Sequence, residues 1–184
     1  MSSVIISGNT SGTITLDAPA VAGTTTLTLP TANGTVITTG SPQSGSVLQV
    51  VNASSIANIQ TSSTSFVTTG FSATITPKFS TSKILAMVSG GGAFASATSS
   101  ATLYATIYRN STNLGDSTYG LCRFTNNAGG PYVAPNSMSV LDSPATTSST
   151  TYTCYFKNAG AAATVDFNYS DRGNVSLTLM EIAA

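Results

Sequence analysis

Thr102-Leu103-Tyr104-Ala105-Thr106-Ile107-Tyr108 is the stretch on which the reading of this sequence turns. Its residues alternate. Leu103, Ala105 and Ile107 fall on one side of an extended chain, and Tyr104 and Tyr108 fall on the other. This is the pattern of a half-buried β-strand whose inner face belongs to a core. Tyr104 and Tyr108 then face solvent or a neighbouring subunit, and an apolar body with a polar tip suits a subunit contact. They are the candidate subunit contacts of this region.

The same alternation recurs at short, regular spacing on both sides. Strands are expected at Phe66–Thr69, Ser72–Thr76, Ile84–Ser89, Thr102–Arg109, Tyr119–Phe124, Ser137–Leu141, Thr150–Lys157, Thr164–Tyr169 and Ser176–Ile182. Between them lie turn-forming stretches such as Asn110-Ser111-Thr112-Asn113, Asn126-Asn127-Ala128-Gly129-Gly130-Pro131 and Asp171-Arg172-Gly173-Asn174. Eight or nine strands in about 120 residues predict an all-β sandwich, a jelly roll in particular.

Upstream the chemistry changes. All seven Phe and all seven Tyr lie at or beyond Phe66, and the only charged residue before Lys78 is Asp17. Residues 1–63 are therefore read as one region and 64–184 as a jelly-roll head. In the first region Thr and aliphatic residues alternate through 12–17, 24–30 and 34–38, which predicts short half-buried strands separated by turns. Gly45–Val51 reads as a further strand. The Ser- and Thr-rich segment 54–65 reads equally as linker or short strand. Sixteen Val, Ile and Leu residues and no aromatic are too little apolar matter to order about 63 residues in one chain. Uncharged strand edges would also invite pairing. The first region is thus expected to be an intertwined anchor or stalk of an obligate homo-oligomer, with Ile14, Leu16, Leu27, Leu29, Val36 and Ile37 as its contact residues.

Composition narrows the function. The chain has 184 residues, six Lys and Arg against six Asp and Glu, no His and no Trp, while 28 Ser and 31 Thr make up almost a third of it. Balanced charge gives no electrostatic reason to bind nucleic acid or an anionic membrane, so neither is expected as a partner. Without His, a serine–histidine triad cannot be built. Lys78, Lys83 and Lys157 lie in no dyad motif. Asp17, Asp116, Asp142, Asp166, Asp171 and Glu181 show no spacing that pairs carboxylates for hydrolysis. An enzyme is not expected, nor a cofactor or metal, although Asp171 and Asn174 make a conceivable cation site. Gly90-Gly91-Gly92 lacks the Lys-Ser/Thr ending of a phosphate loop and reads as a flexible turn. The Asn-x-Ser/Thr triplets at Asn9, Asn33, Asn52, Asn110 and Asn174 are what this much Ser and Thr yields by chance. Cys122 and Cys154 read as buried free thiols, with a cross-strand bridge left open. The N-terminal residues carry no basic segment and no long apolar run, so neither a signal peptide nor a membrane span is expected, and the chain is expected to be made and kept in a cytoplasm.

Several stretches resemble phage virion proteins, cyanophage ones especially. Ser11–Thr24, Leu27-Thr28-Leu29-Pro30 and Gly34-Thr35-Val36 are similar to a segment common in them. Ile75–Ile84, Ile107-Tyr108-Arg109-Asn110 and Leu177–Ile182 resemble the terminal domain of phage fibre and decoration proteins. The resemblance covers about a third of the chain. It implies a trimeric, C1q-like jelly roll. A virion protein touching packaged DNA should be cationic, so the zero net charge sets the expected place on the outer surface of the virion. The expectation is a homotrimeric capsid decoration (cement) protein that binds the major capsid protein through its N-terminal region and stabilises the shell. The alternative is a short tail fibre or receptor-binding protein, held by tail proteins and gripping a host surface glycan with loops that carry Tyr119, Tyr132 and Tyr169.

Overall fold

The computed structural model describes the chain except residues 1–2, 18–19, 22, 25, 27, 29–30, 32, 35–36, 96–100, 127–131, 160–163 and 170–172. Every regular element among the described residues is a β-strand. The chain divides into two compact units, Met1–Val36 and Ile37–Ala184.

The first unit contains one antiparallel hairpin, β1 (Ser3–Ser7) and β2 (Thr13–Asp17). Gly12 makes its turn at φ 80°, and the Gly8 amide donates to the Gly12 carbonyl at 2.9 Å. β2 matches the expected strand at 12–17, whereas β1 has no counterpart in the sequence reading. Leu27, Leu29 and Val36 lie outside the described residues.

The second unit is a sandwich of two antiparallel sheets. The first contains β3 (Val47–Ser55), β4 (Gln60–Thr61), β6 (Lys83–Ala95), β10 (Tyr132–Asp142), β12 (Val165–Asp166) and β13 (Val175–Ile182). The second contains β5 (Val67–Ile75), β7 (Ala101–Arg109), β8 (Thr112–Asn113), β9 (Cys122–Asn126) and β11 (Thr150–Asn158). Setting aside the two-residue strands, eight long strands remain. Their order is β3-β13-β6-β10 in one sheet and β5-β11-β7-β9 in the other. In chain order this is first–eighth–third–sixth facing second–seventh–fourth–fifth, the winding of a jelly roll.

Both sheets obey the period of two. In β11, Tyr152, Cys154, Phe156 and Asn158 are buried and the residues between them are half-buried. In β13, Val175, Leu177, Leu179 and Glu181 point inward. Leu103, Ala105 and Ile107 of β7 are fully enclosed, as their alternation predicts, and join Ile75, Ile84, Val88, Phe156, Phe167, Leu177 and Leu179 in one core. The Phe156 and Phe167 rings meet with centroids 5.9 Å apart.

Four details differ from the sequence reading. The expected boundary at 63/64 falls inside the second unit, because β3 is hydrogen-bonded along its length to β13, from Val47↔Ile182 to Ser55↔Val175. Without β3 the first sheet would lose an edge strand, so residues 47–55 belong to the sandwich. Segment 54–65 is partly strand and partly connection. Phe66–Thr69 and Ser72–Thr76 fuse into the single strand β5, which Gly70 bends at φ 71°. Finally, Gly90-Gly91-Gly92 is no turn but lies within β6. Gly90 and Gly91 hold φ of 84° and 60° opposite a bulge between Ala134 and Asn136. A Cβ on Gly90 would strike the Asn174 carbonyl that accepts from Gly91, and one on Gly91 would strike the Asn168 side chain. Glycine here lets β6 kink between β13, its neighbour over Lys83–Gly90, and β12, its neighbour at Phe94 and Ala95.

Candidate functional site

Three surfaces stand out, one on the hairpin and one on the outer face of each sheet. On the hairpin, Val4 pairs with Leu16 and Ile6 with Ile14. Alternation puts these four aliphatic side chains on one face, and they are 60%, 57%, 52% and 65% exposed. The opposite face is Ser, Thr and Asp17 apart from Ile5, itself exposed. The ribbon is thus amphipathic with its apolar face open, and an isolated two-stranded hairpin is marginal in water. Of the candidate anchor contacts, Ile14 and Leu16 lie together on this face. Ile37 is exposed just before an isolated bridge between Thr38 and Ser41.

The outer face of the first sheet is built in rows by its register. Val50, Met180, Leu85 and Leu141 cross all four long strands as one apolar row, and Val50 and Leu141 are more than half exposed. The next row is Asn52, Thr178, Met87 and Ser139, and the next is Ser54, Ser176, Ser89 and Ser137. Asn52 donates to the Thr178 hydroxyl at 2.8 Å. No charge interrupts these rows.

The outer face of the second sheet is aromatic and cationic. Tyr104 and Tyr108 point away from the core, as their spacing requires. Tyr108 stacks on Tyr155 of β11 at 4.0 Å, and Tyr119 meets Tyr104 edge-on at 5.6 Å. Lys157 and Arg123 flank Tyr104 in register, one on β11 and one on β9. The Lys157 ammonium lies 4.6 Å from the Phe66 ring centroid and 5.6 Å from that of Tyr104. Of the loop tyrosines, Tyr119 belongs to this face. Tyr169 instead stacks on Phe94 of the first sheet at 4.3 Å, and the side chain of Tyr132 lies outside the described residues.

Among the described residues, each carboxylate of the sandwich has a local partner. Asp142 accepts from Arg109 at 2.7 and 2.9 Å and from the Tyr152 hydroxyl at 2.7 Å. Burial, and then the neighbouring Asp142, push the Tyr152 phenol above its ordinary range. Glu181 is buried, which alone would raise its pKa. The Ser82 hydroxyl, the Gln49 side chain at 2.5 Å and the Lys78 and Phe79 amides together outweigh that and hold it below the usual value. Asp166 is buried beside Gln60, and burial raises its pKa. Asp116 caps a turn, accepting from the amides of Thr118 and Tyr119. Asp171 lies outside the described residues. Among the described residues no group of three His, Cys, Asp or Glu side chains is placed to hold a metal ion. Cys122 and Cys154 are free thiols, and burial pushes Cys154 up to about 12.

This distribution changes the meaning of the zero net charge. Asp142, Asp166 and Glu181 are buried. Among the described residues, the sandwich surface therefore presents Lys78, Lys83, Arg123 and Lys157 against Asp116 alone. Composition could not show this, because it counts buried and exposed charges alike.

No family model and no curated protein sequence matches the chain. Among solved structures, the chain is similar to the structure of the infectious bursal disease virus Gx strain, with a TM-score of 0.39 and 16% identity over 98% of this chain and 46% of that one. It is also similar to the VP2 subviral particle of infectious bursal disease virus, with a TM-score of 0.35 and 14% identity over 78% of this chain and 39% of that one. The chain spans less than half the length of either.

Proposed function

We propose that this chain is a virion structural protein, a phage capsid decoration protein that acts as a homotrimer on the outer shell. The observation that carries the reading is the hairpin. Four aliphatic side chains on one face of a two-stranded ribbon are stable only under cover, and the described residues of the first unit leave all four more than half exposed. Sibling chains would cover this face by apolar contact, and the capsid surface would be held by strand addition at the open hairpin edges. Binding only to the assembled shell would stabilise that shell by mass action. The sandwich completes its own core and would project outward. We assign subunit contact in the head to the outer face of the first sheet, whose three rows from Val50 to Ser54 carry no charge and which bears Lys83 only at its margin. The contact role expected of Tyr104 and Tyr108 passes to it, because three copies of a cationic face would repel one another.

The test is removal of residues 1–36. The remaining sandwich is expected to stay folded and soluble while losing all binding to shells that lack the protein. Shell binding by the truncated chain would contradict the reading. Copy number separates the decoration protein from the tail fibre: hundreds of chains per particle support decoration, and a few at the tail identify a fibre.

A further inference from the structure

The tyrosine face of the second sheet has the makings of a ligand site in its own right. Its centre is the cross-strand row Lys157–Tyr104–Arg123. Tyr119, 59% exposed, stands edge-on to Tyr104, and Phe66 lies beneath the Lys157 ammonium. The Arg123 guanidinium carbon is 6.0 Å from the Tyr104 ring centroid, and its Nε donates to the Thr125 hydroxyl. Thr102 and Thr125 pair their hydroxyls at 3.0 Å two residues along from Tyr104 and Arg123, and Thr153 lies opposite Tyr108. Among the described residues no carboxylate points from this face. The neighbouring Asp116 turns its Oδ1 onto backbone amides.

This combination selects a ligand class. Aromatic faces carry partial negative charge and pack against the C–H faces of sugar rings. Two cations without a competing carboxylate select a ligand that carries anions at intervals. A neutral glycan would make no use of Lys157 and Arg123. A nucleic acid strand needs a longer cationic track than two side chains. We propose that this face binds an acidic polysaccharide, with sugar rings against Tyr104 and Tyr119 and carboxylate or sulfate groups held by Lys157 and Arg123. Every residue involved lies in the second unit, so the site stands apart from the anchoring role, and the two can fail independently.

Isothermal titration of the full-length protein in low-salt buffer tests this. The probes are polygalacturonate for carboxylated sugars, dextran sulfate for sulfated ones, neutral dextran, and oligothymidylate. Binding to at least one acidic polysaccharide and none to neutral dextran is expected. Tyr119→Ala, Lys157→Gln and Arg123→Gln should each weaken it about tenfold, the ratio set by losing one charge-assisted or stacking contact. Tyr119→Phe should retain it. Tyr119 is exposed, so its variants should melt with the parent protein, separating loss of ligand from loss of fold. The proposal is overturned by any of four results: no heat with either acidic polymer, equal binding of neutral dextran, acidic binding undiminished in Tyr119→Ala and Lys157→Gln, or tighter binding of oligothymidylate than of either polysaccharide.

Discussion

The hairpin β1–β2 and the strand pair β7–β11 follow the same period of two, and their fates are opposite. Both place apolar residues at alternate positions and both form antiparallel ladders, although the hairpin uses aliphatic residues alone and β11 uses Tyr152, Cys154 and Phe156. Leu103 and Ile107 are fully buried, whereas Ile14 and Leu16 are more than half exposed. The difference is the layer behind them. β7 and β11 have a second sheet at their backs; among the described residues of the first unit, the hairpin has none. Alternation specifies a strand and its two faces, but burial takes another layer, and the sandwich builds its own while the hairpin must borrow one.

Truncating matched residues sharpens this contrast. Leu177→Ala should cost the sandwich about 2–5 kcal/mol in chemical denaturation. Leu16→Ala should shift the same transition by no more than about 0.5 kcal/mol and show its effect in assembly instead. Equal destabilisation by the two would mean that the hairpin is covered within its own chain. Next in size, Asp142→Ala leaves the Arg109 guanidinium and the Tyr152 hydroxyl without their shared acceptor. With Arg109 partly exposed, the expected cost is about 2–4 kcal/mol, read from urea melts; the hairpin holds no such network and should be indifferent.

A smaller effect should appear on acidification. Glu181 has its carboxyl held below the ordinary value of 4.5 in the folded chain. Its contribution is therefore complete above that value and lost as pH falls through the lower folded one. Sandwich melting temperature should drop across that acid window, and Glu181→Gln should flatten the drop. A slope equally steep in the variant would assign the acid sensitivity elsewhere. The smallest effect concerns thiols. Cys154 is buried with its pKa at about 12, so a disulfide reagent at pH 8 should leave it unmodified until the sandwich unfolds; prompt labelling would show that the core opens.

Much of this architecture is legible in the sequence. The inward set Leu103, Ala105 and Ile107 follows from a period of two. The outer placement of Tyr104 and Tyr108 follows from the same count. What pairs with them does not follow. Lys157 lies opposite Tyr104, and Val50 shares a row with Met180, Leu85 and Leu141. Such neighbours are set by strand order, which local alternation does not encode. The glycine run reads as a turn because three glycines look alike whether the chain reverses or kinks. The edge strand β3 was grouped with the anchor because it shares the anchor's lack of aromatics and charge, yet its partner β13 comes at the far end of the chain. Charge was misleading for a different reason: buried Asp142, Asp166 and Glu181 cancel surface cations in the total but not on the surface.

The claim on which the account rests is that the open face of the hairpin is covered by other copies of the chain. Sedimentation equilibrium of the full-length protein over a wide dilution series, beside the same protein lacking residues 1–36, measures this directly. The account predicts a trimer that persists on dilution for the full chain and a weaker association, or none, for the truncated one. A full-length chain that sediments as a monomer while its hairpin amides resist hydrogen exchange would contradict it.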